Sequence, residues 1–301
     1  MHVLLTGASG FIGRAIAQAL LARGHQVVPV MRRPGPDAGA IVHADFATVP
    51  TRDWWLPRLA GIDAVVNAVG ILRERGRETY DRVHRRAAGA LARACAREGI
   101  RLIHVSALGL HAGARSRFIS SKIAGERAVA ASGADYCIVR PSLLDGEGGF
   151  GARWLRWMAR WPVHFVPADA AGRIAALHVL DLGEAIANLC ELSAAPREAE
   201  VGGMAAYTMA EYLDALRAAR GFPPAIRIAL PGWVARAASH VFDTLHFSPF
   251  SFGHWELMRR DNLPSPNALP GLLGRAPVPV GAVRTRPGER RSLRAAGGRA
   301  S

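Results

Sequence analysis

Lysine is almost missing from this chain. Among its 38 lysine and arginine residues only Lys122 is lysine. Where a positive charge serves only solubility, arginine suffices, and here it is used everywhere else. Lysine differs in being a compact ammonium with a tunable pKa, whereas guanidinium is forked and permanently charged. Lys122 is therefore a candidate functional residue, the alternative being a position that escaped a compositional bias by chance. Cysteine is scarce too: Cys95, Cys137 and Cys190 lie far apart in apolar segments, which excludes a disulfide framework and points to reduced core thiols. The eleven histidines are scattered without paired helical spacing, so no metal centre is expected. No apolar run reaches the roughly 18 residues that cross a bilayer. The chain opens directly on the strand-like "HVLLTG", leaving no room for a leader, and the expected location is the cytoplasm.

What is present fits a folded enzyme-sized domain. Half of the residues are hydrophobic and 32 are glycine, enough for a large core with tight turns. The formal net charge of +14 raises the question of nucleic acid, but no binding module accompanies it, and no nucleic-acid partner is expected. Buried-type apolar runs at "HVLLTG", "QVVPVMRRP", "GAIVHADF", "IDAVVNAVG", "IRLIHVSALG" and "ADYCIVRPS" alternate with amphipathic stretches. This rhythm predicts an α/β fold, a doubly wound parallel sheet of Rossmann type. A long helix is expected from about 78 to 98, and another around Lys122. After Pro141 the pattern loosens into a smaller C-terminal α/β lobe. The expected division is 1–142 with about 174–195 for the dinucleotide-binding domain, and about 143–173 with 196–270 for a substrate-side cap. Residues 271–301, rich in Pro, Gly and Arg, are expected to form a disordered basic tail whose removal past about 276 costs nothing.

"TGASGFIG" carries Gly7, Ser9, Gly10, Phe11, Ile12 and Gly13 through the first strand-to-helix turn. Glycines there permit a tight turn, close approach of a pyrophosphate and close helix packing, while the helix start offers free N–H groups. A plain turn is the alternative; the strand–turn–helix context favours a dinucleotide. At the end of the second strand an NAD site would place an acid for the ribose 2′-hydroxyl. The chain instead has "MRRP". Arg32 and Arg33 suit a 2′-phosphate, so NADP is expected over NAD, unless they are ordinary surface arginines.

The glycine spacing resembles the short-chain dehydrogenase/reductase superfamily, in its extended and atypical branches. Asp45 in "HADF" then matches an acid that contacts adenine, with Phe46 beside it. "NAVG" brings Ala68, Val69 and Gly70 to the cofactor at the fourth strand, "VSALG" carries the active-site Ser106, and "RPS" ends the sixth strand. "NAVGILRE", "VHRRAAGALARACAREGI", "IHVSALG", "SKIAGERAV" and "RRDN" are most similar to NAD(P)H-binding proteins related to an accessory subunit of respiratory complex I. In the superfamily a tyrosine sits four residues before the lysine and delivers a proton while the lysine holds the nicotinamide ribose. This chain has Phe118 there. The resemblance thus implies a retained lysine for cofactor binding and a reductase working without that tyrosine, or a non-catalytic structural or assembly protein with a protein partner. Ser106 either polarises an oxygen of a small-molecule substrate or merely caps a strand. "RWLRWMARW" places Trp154, Trp157 and Trp161 along one helix side. They read as buried residues of a roof over the substrate cleft, or as a peripheral contact at the inner face of a membrane, where a quinone-like or lipid substrate would bring them.

Overall fold

Strand side chains alternate between two faces, and here both faces are apolar. Val3 and Leu5 of β1 (His2–Thr6) belong to one buried cluster and Leu4 to another. Such a strand needs helices on both sides, and it has them. In the computed structural model, which describes residues 1–32, 41–245 and 250–282 (the side chains of 243–245 excepted), seven strands form one all-parallel sheet. β2 (Gln26–Met31), β3 (Val42–His43), β4 (Ala64–Asn67), β5 (Arg101–Val105) and β6 (Tyr136–Pro141) are joined by a late strand, Glu198–Val201. The order across the sheet is Glu198–Val201, β6, β5, β4, β1, β2, β3. Pro29 is accommodated in β2 because β3 pairs only with Val30 and Met31, leaving the proline next to a stretch of edge.

Helix α1 (Phe11–Ala22) covers the first face, together with a helix at Val179–Glu191. They touch closely: a Cβ at Gly183 would lie 2.5 Å from the Ala15 carbonyl oxygen. The second face carries a short α2 (Arg52–Trp55), α3 (Ala88–Glu98) and α4 (Arg117–Ala130). The expected long helix is present with a difference. Its first part, Asp81–Ala87, is π-helical and runs directly into α3, and no apolar periodicity distinguishes that wider turn.

The remaining pieces sit at the carboxyl edge of the sheet. They are α5 (Phe150–Met158), the strand Val163–Pro167 paired in parallel with Ile226–Leu230, and helices at Met209–Ala218, Gly232–Leu245 and Phe252–Met258. Their own small core holds Ala159, Ile174, Tyr212, Leu213 and Leu216. The "RRDN" stretch is a brace: the Asn262 amide donates to the carbonyls of Leu257 and Arg260, and its own carbonyl accepts from Ser142 Oγ at 2.8 Å. Among the described residues no helix is long and apolar enough to cross a membrane.

A disordered tail starting at 271 is not what the structure has. Leu269–Leu273 is helical, with Leu269 and Leu273 in the main core. The Arg275 guanidinium donates to Asp181 (2.8 Å) and Glu184 (2.6 Å), and Val278 N–H donates to the buried Asp181 at 2.7 Å. Val280 packs against the cap core. The sequence lacks periodicity here because Arg275, Val278 and Val280 are held by individual contacts to distant residues and not by one face of an element. Residues 283–301 lie outside the described residues. A chain ending at Ala276 is therefore expected to melt below the full chain, since Asp181 loses a donor it cannot replace from water, a cost of about 1–3 kcal/mol. Calorimetric scans of the two chains give the comparison, and equal melting temperatures would contradict the packing.

Candidate cofactor and active site

At the end of β1 the backbone turns through Gly7, whose φ of +71° suits glycine. A Cβ on Gly7 would meet the Ala68 carbonyl oxygen at 2.9 Å, and one on Gly13 would lie 2.0 Å from the Gly7 carbonyl oxygen. The turn is closed by Gly10 N–H donating to the Gly7 carbonyl at 2.9 Å, and α1 begins at once with no acid in its first turn. Unpaired N–H groups at that helix start favour an anion. Gly7, Ser9, Gly10, Arg32, Asp45, Phe46, Ala68, Val69 and Gly70 line one cleft over the sheet edge. Phe11, Ile12 and Gly13 do not line it. The Phe11 ring packs against Gly146 and Gly149, Ile12 against the core, and Gly13 beneath the turn. Arg33 lies outside the described residues.

Two polar residues, one lining the cleft and one beside it, escaped the sequence reading. Glu78 makes an ion pair with Arg32 at the lip; the two are 46 positions apart, and no local pattern joins them. Asp45 uses one carboxylate oxygen to accept from Ala47 N–H at 3.0 Å, which fixes the short helical turn holding Phe46 inward. The second missed residue is His84, in the π-helical stretch. Its Nε2 accepts from Ile71 N–H at 3.1 Å, so the proton is on Nδ1, which donates to Ser121 Oγ at 2.9 Å; Ser121 in turn donates to the Phe118 carbonyl at 2.7 Å. Facing α4 was its only signal in the sequence.

Lys122 is on α4, with its Nζ beside this histidine. A Cβ on Gly70 would lie 3.7 Å from Lys122 Nζ and 3.8 Å from His84 Nε2. Burial lowers the Lys122 pKa to about 8, the carboxylate of Glu126 opposing the shift. Glu126 is one turn away but accepts its hydrogen bonds from Arg140, which also donates to Glu198. Among the described residues Lys122 has neither an ion pair nor a hydrogen bond. Phe118 is buried, its ring among Tyr80, His84 and His254. The helix Phe252–Met258 closes over it because Glu256 accepts from the N–H groups of Arg115 and Ser116, both at 2.9 Å.

Ser106 follows β5, is 5% exposed, and its Oγ has no hydrogen-bond partner among the described residues. A buried hydroxyl without a partner is costly, and this one makes no strand-capping hydrogen bond among the described residues. Below the cleft, Thr6 Oγ1 donates to Asn67 Oδ1 at 2.7 Å and the Asn67 amide donates to His104 Nδ1 at 3.0 Å. These three residues are neighbours across β1, β4 and β5. No cluster of three or more metal-ligating side chains occurs among the described residues.

Comparison with known proteins agrees with this geometry. A family described as NAD(P)H-binding matches residues 7–154. A ceramide reductase of Caulobacter vibrioides is 31% identical over 284 residues, covering 87% of this chain and 86% of that one. Subunit 9 of the NADH dehydrogenase [ubiquinone] 1 alpha subcomplex of Arabidopsis thaliana is 26% identical, covering 87% and 71%. Among solved structures, the NADPH-dependent quinone oxidoreductase QOR2 of Escherichia coli, complexed with NADPH, superposes with a TM-score of 0.72 at 19% identity, covering 93% and 97%.

The two buried histidines make acid stability predictable. Burial first, then Lys122 and His104, push the His84 pKa to about 2; burial and then Lys122 push that of His104 to about 3. Both stay neutral in the fold while an unfolded chain protonates them below about 6.5. Their contribution is complete above that pH and is lost as pH falls, by about 1.4 kcal/mol per pH unit for each histidine. Melting temperature should decline steadily from pH 6.5 to 4.5. An imidazole resonance of either residue titrating near 6.5 would refute this.

Proposed function

The chain belongs to the short-chain dehydrogenase/reductase superfamily, in the NAD(P)H-binding branch that also holds a ceramide reductase and a complex I subunit, and on that premise we propose that it is an NADPH-dependent reductase of a carbonyl-bearing lipid. The observation that carries the reading is Lys122: a desolvated, pKa-lowered ammonium beside Gly70, which lines the cleft. The turn at Gly7–Gly10 and the start of α1 would hold the pyrophosphate, Asp45 and Phe46 the adenine end, and Arg32 the 2′-phosphate. NADPH held there would supply a hydride for the carbonyl carbon. Ser106 Oγ donates a hydrogen bond to the carbonyl oxygen. Lys122 orients the nicotinamide ribose and delivers the proton that completes the alcohol, a transfer that a pKa of about 8 places close to neutral pH. Its proton returns from water in the cleft. His84, held neutral, keeps a second positive charge away from the ammonium. The lipid as substrate class is supported by the name of the Caulobacter relative.

A second reading is a cofactor-binding accessory protein without turnover. Phe118 favours it, since its buried ring occupies the place of the proton-donating tyrosine. Oxidation of NADPH on addition of a carbonyl-bearing lipid, abolished in Ser106→Ala, separates the two. Binding of NADPH without any oxidation selects the accessory role.

Cofactor choice has its own test. Arg32→Ala is expected to weaken NADPH binding about tenfold and leave NADH unchanged. Glu78→Gln frees Arg32 and is expected to tighten NADPH binding; equal affinities for the two cofactors in all three proteins would remove the 2′-phosphate assignment. Lys122→Arg keeps the charge but not the shape, and is expected to bind NADPH more weakly than either the parent or the surface exchange Arg127→Lys. In the parent, affinity should decline as pH rises through about 8, because the ammonium is present only below its pKa. Titration calorimetry across pH reads both effects, and a Lys122→Arg protein binding like the parent contradicts the ribose role.

A further inference from the structure

The tryptophan-bearing helix does not roof the cleft with buried rings. Trp154, Trp157 and Trp161 form a ladder with ring centroids 5.1 and 5.3 Å apart, in which Trp154 is half-buried and Trp157 and Trp161 are exposed. It is Arg156 that turns inward, donating to the buried Asp145 at 2.8 and 3.0 Å. Trp161 leads into the two-stranded ribbon, where Val163 pairs with Ile226 and Phe165 with Ile228. Alternation puts these four on one side of the ribbon. That side is the wet one: Phe165 is 57% and Ile226 68% exposed, while His164, on the opposite side, is buried. Just past the other end of the ribbon comes Trp233, 75% exposed. Exposed apolar side chains thus recur from Trp157 through the paired strands of the ribbon to the start of the helix that follows.

Its charge is one-sided. Segments 150–168 and 222–242 contain four of the chain's seven tryptophans and neither aspartate nor glutamate. Arg156 and Arg227 are paired with Asp145 and Asp214. Exposed Arg153, Arg160 and Arg236 have no ion-pair partner among the described residues. A second copy of this chain would set arginine against arginine across the contact, which disfavours self-association. Tryptophan rings and arginines with long apolar stems are instead the residues that settle at a lipid–water interface.

We propose that this face seats the protein on an anionic phospholipid bilayer, with Trp157, Trp161, Phe165 and Trp233 in the headgroup region and Arg153, Arg160 and Arg236 on lipid phosphates. The seat depends on the surface alone and not on the redox reading, so either can fail without the other.

The test uses the full chain with vesicles of phosphatidylcholine, with and without phosphatidylglycerol, by co-sedimentation and by quenching of tryptophan fluorescence with brominated acyl chains. Binding to the anionic vesicles with quenching is expected. The variant Trp157→Ser/Trp161→Ser/Phe165→Ser should bind about tenfold more weakly or worse. Its melting curve checks the fold; if the fold is lost, Arg153→Glu/Arg160→Glu/Arg236→Glu takes its place and must lose binding likewise. The six arginines of residues 283–301 offer a competing attachment, but that segment contains no tryptophan. Sedimentation without quenching would therefore overturn the proposal. So would unchanged binding of the variant, equal binding to uncharged vesicles, or a concentration-dependent dimer that shields these tryptophans.

Discussion

The molecule is organised around a contact too close for any side chain. Gly13 packs on the Gly7 carbonyl and Gly7 on that of Ala68, at separations a Cβ would reduce to 2.0 and 2.9 Å. This lets the start of α1 lie directly over the ends of β1 and β4. The cleft inherits its position from there: Ala68, Val69 and Gly70 leave β4 under the turn, and Lys122 and His84 lie beside Gly70. A methyl group at Gly13 would push α1 outward and take with it the face that packs on the Val179–Glu191 helix. The glycine turn therefore serves folding and binding by the same geometry.

Much of the fold was legible because its signals are local. Each sheet strand before Pro141 is a short apolar run, and a strand buried on both faces has to be apolar throughout. The glycine turn could be placed from its strand–turn–helix context, and Asp45, Phe46 and the "NAVG" segment from the family resemblance; the structure brings them to one cleft. What was not legible depends on distant partners. Glu78 reaches Arg32 from a loop, Arg275 reaches Asp181 across 94 residues, and the packed 271–282 stretch has no pattern of its own. Tryptophans were misjudged for another reason. Amphipathic spacing says that a helix has two unlike faces, but not which one points inward, and in α5 a buried aspartate draws Arg156 in and leaves Trp157 outside.

The site shows the same division. The scarcity of lysine singled out Lys122, yet it could not describe the residue's environment. Burial lowers its pKa against the pull of Glu126, and because that glutamate is occupied by Arg140 the ammonium keeps its hydrogen bonds unspent. Phe118 gains meaning only when the Phe252–Met258 helix is seen closing over it, tied down by Glu256.

The π-helical stretch Asp81–Ala87 joins two halves of a helix that have different obligations. Downstream, α3 must keep Leu91, Ala94 and Cys95 in the sheet core; upstream, His84 must face α4 and the cleft. One additional residue in a turn shifts the angular phase between the two, as a vernier does between two scales. Loss of a single residue there would leave the core in register and rotate the histidine off its partners. The length of this segment is thus as strictly constrained as the identity of any residue in it, and homologous chains that keep His84 should tolerate substitutions here far better than deletions.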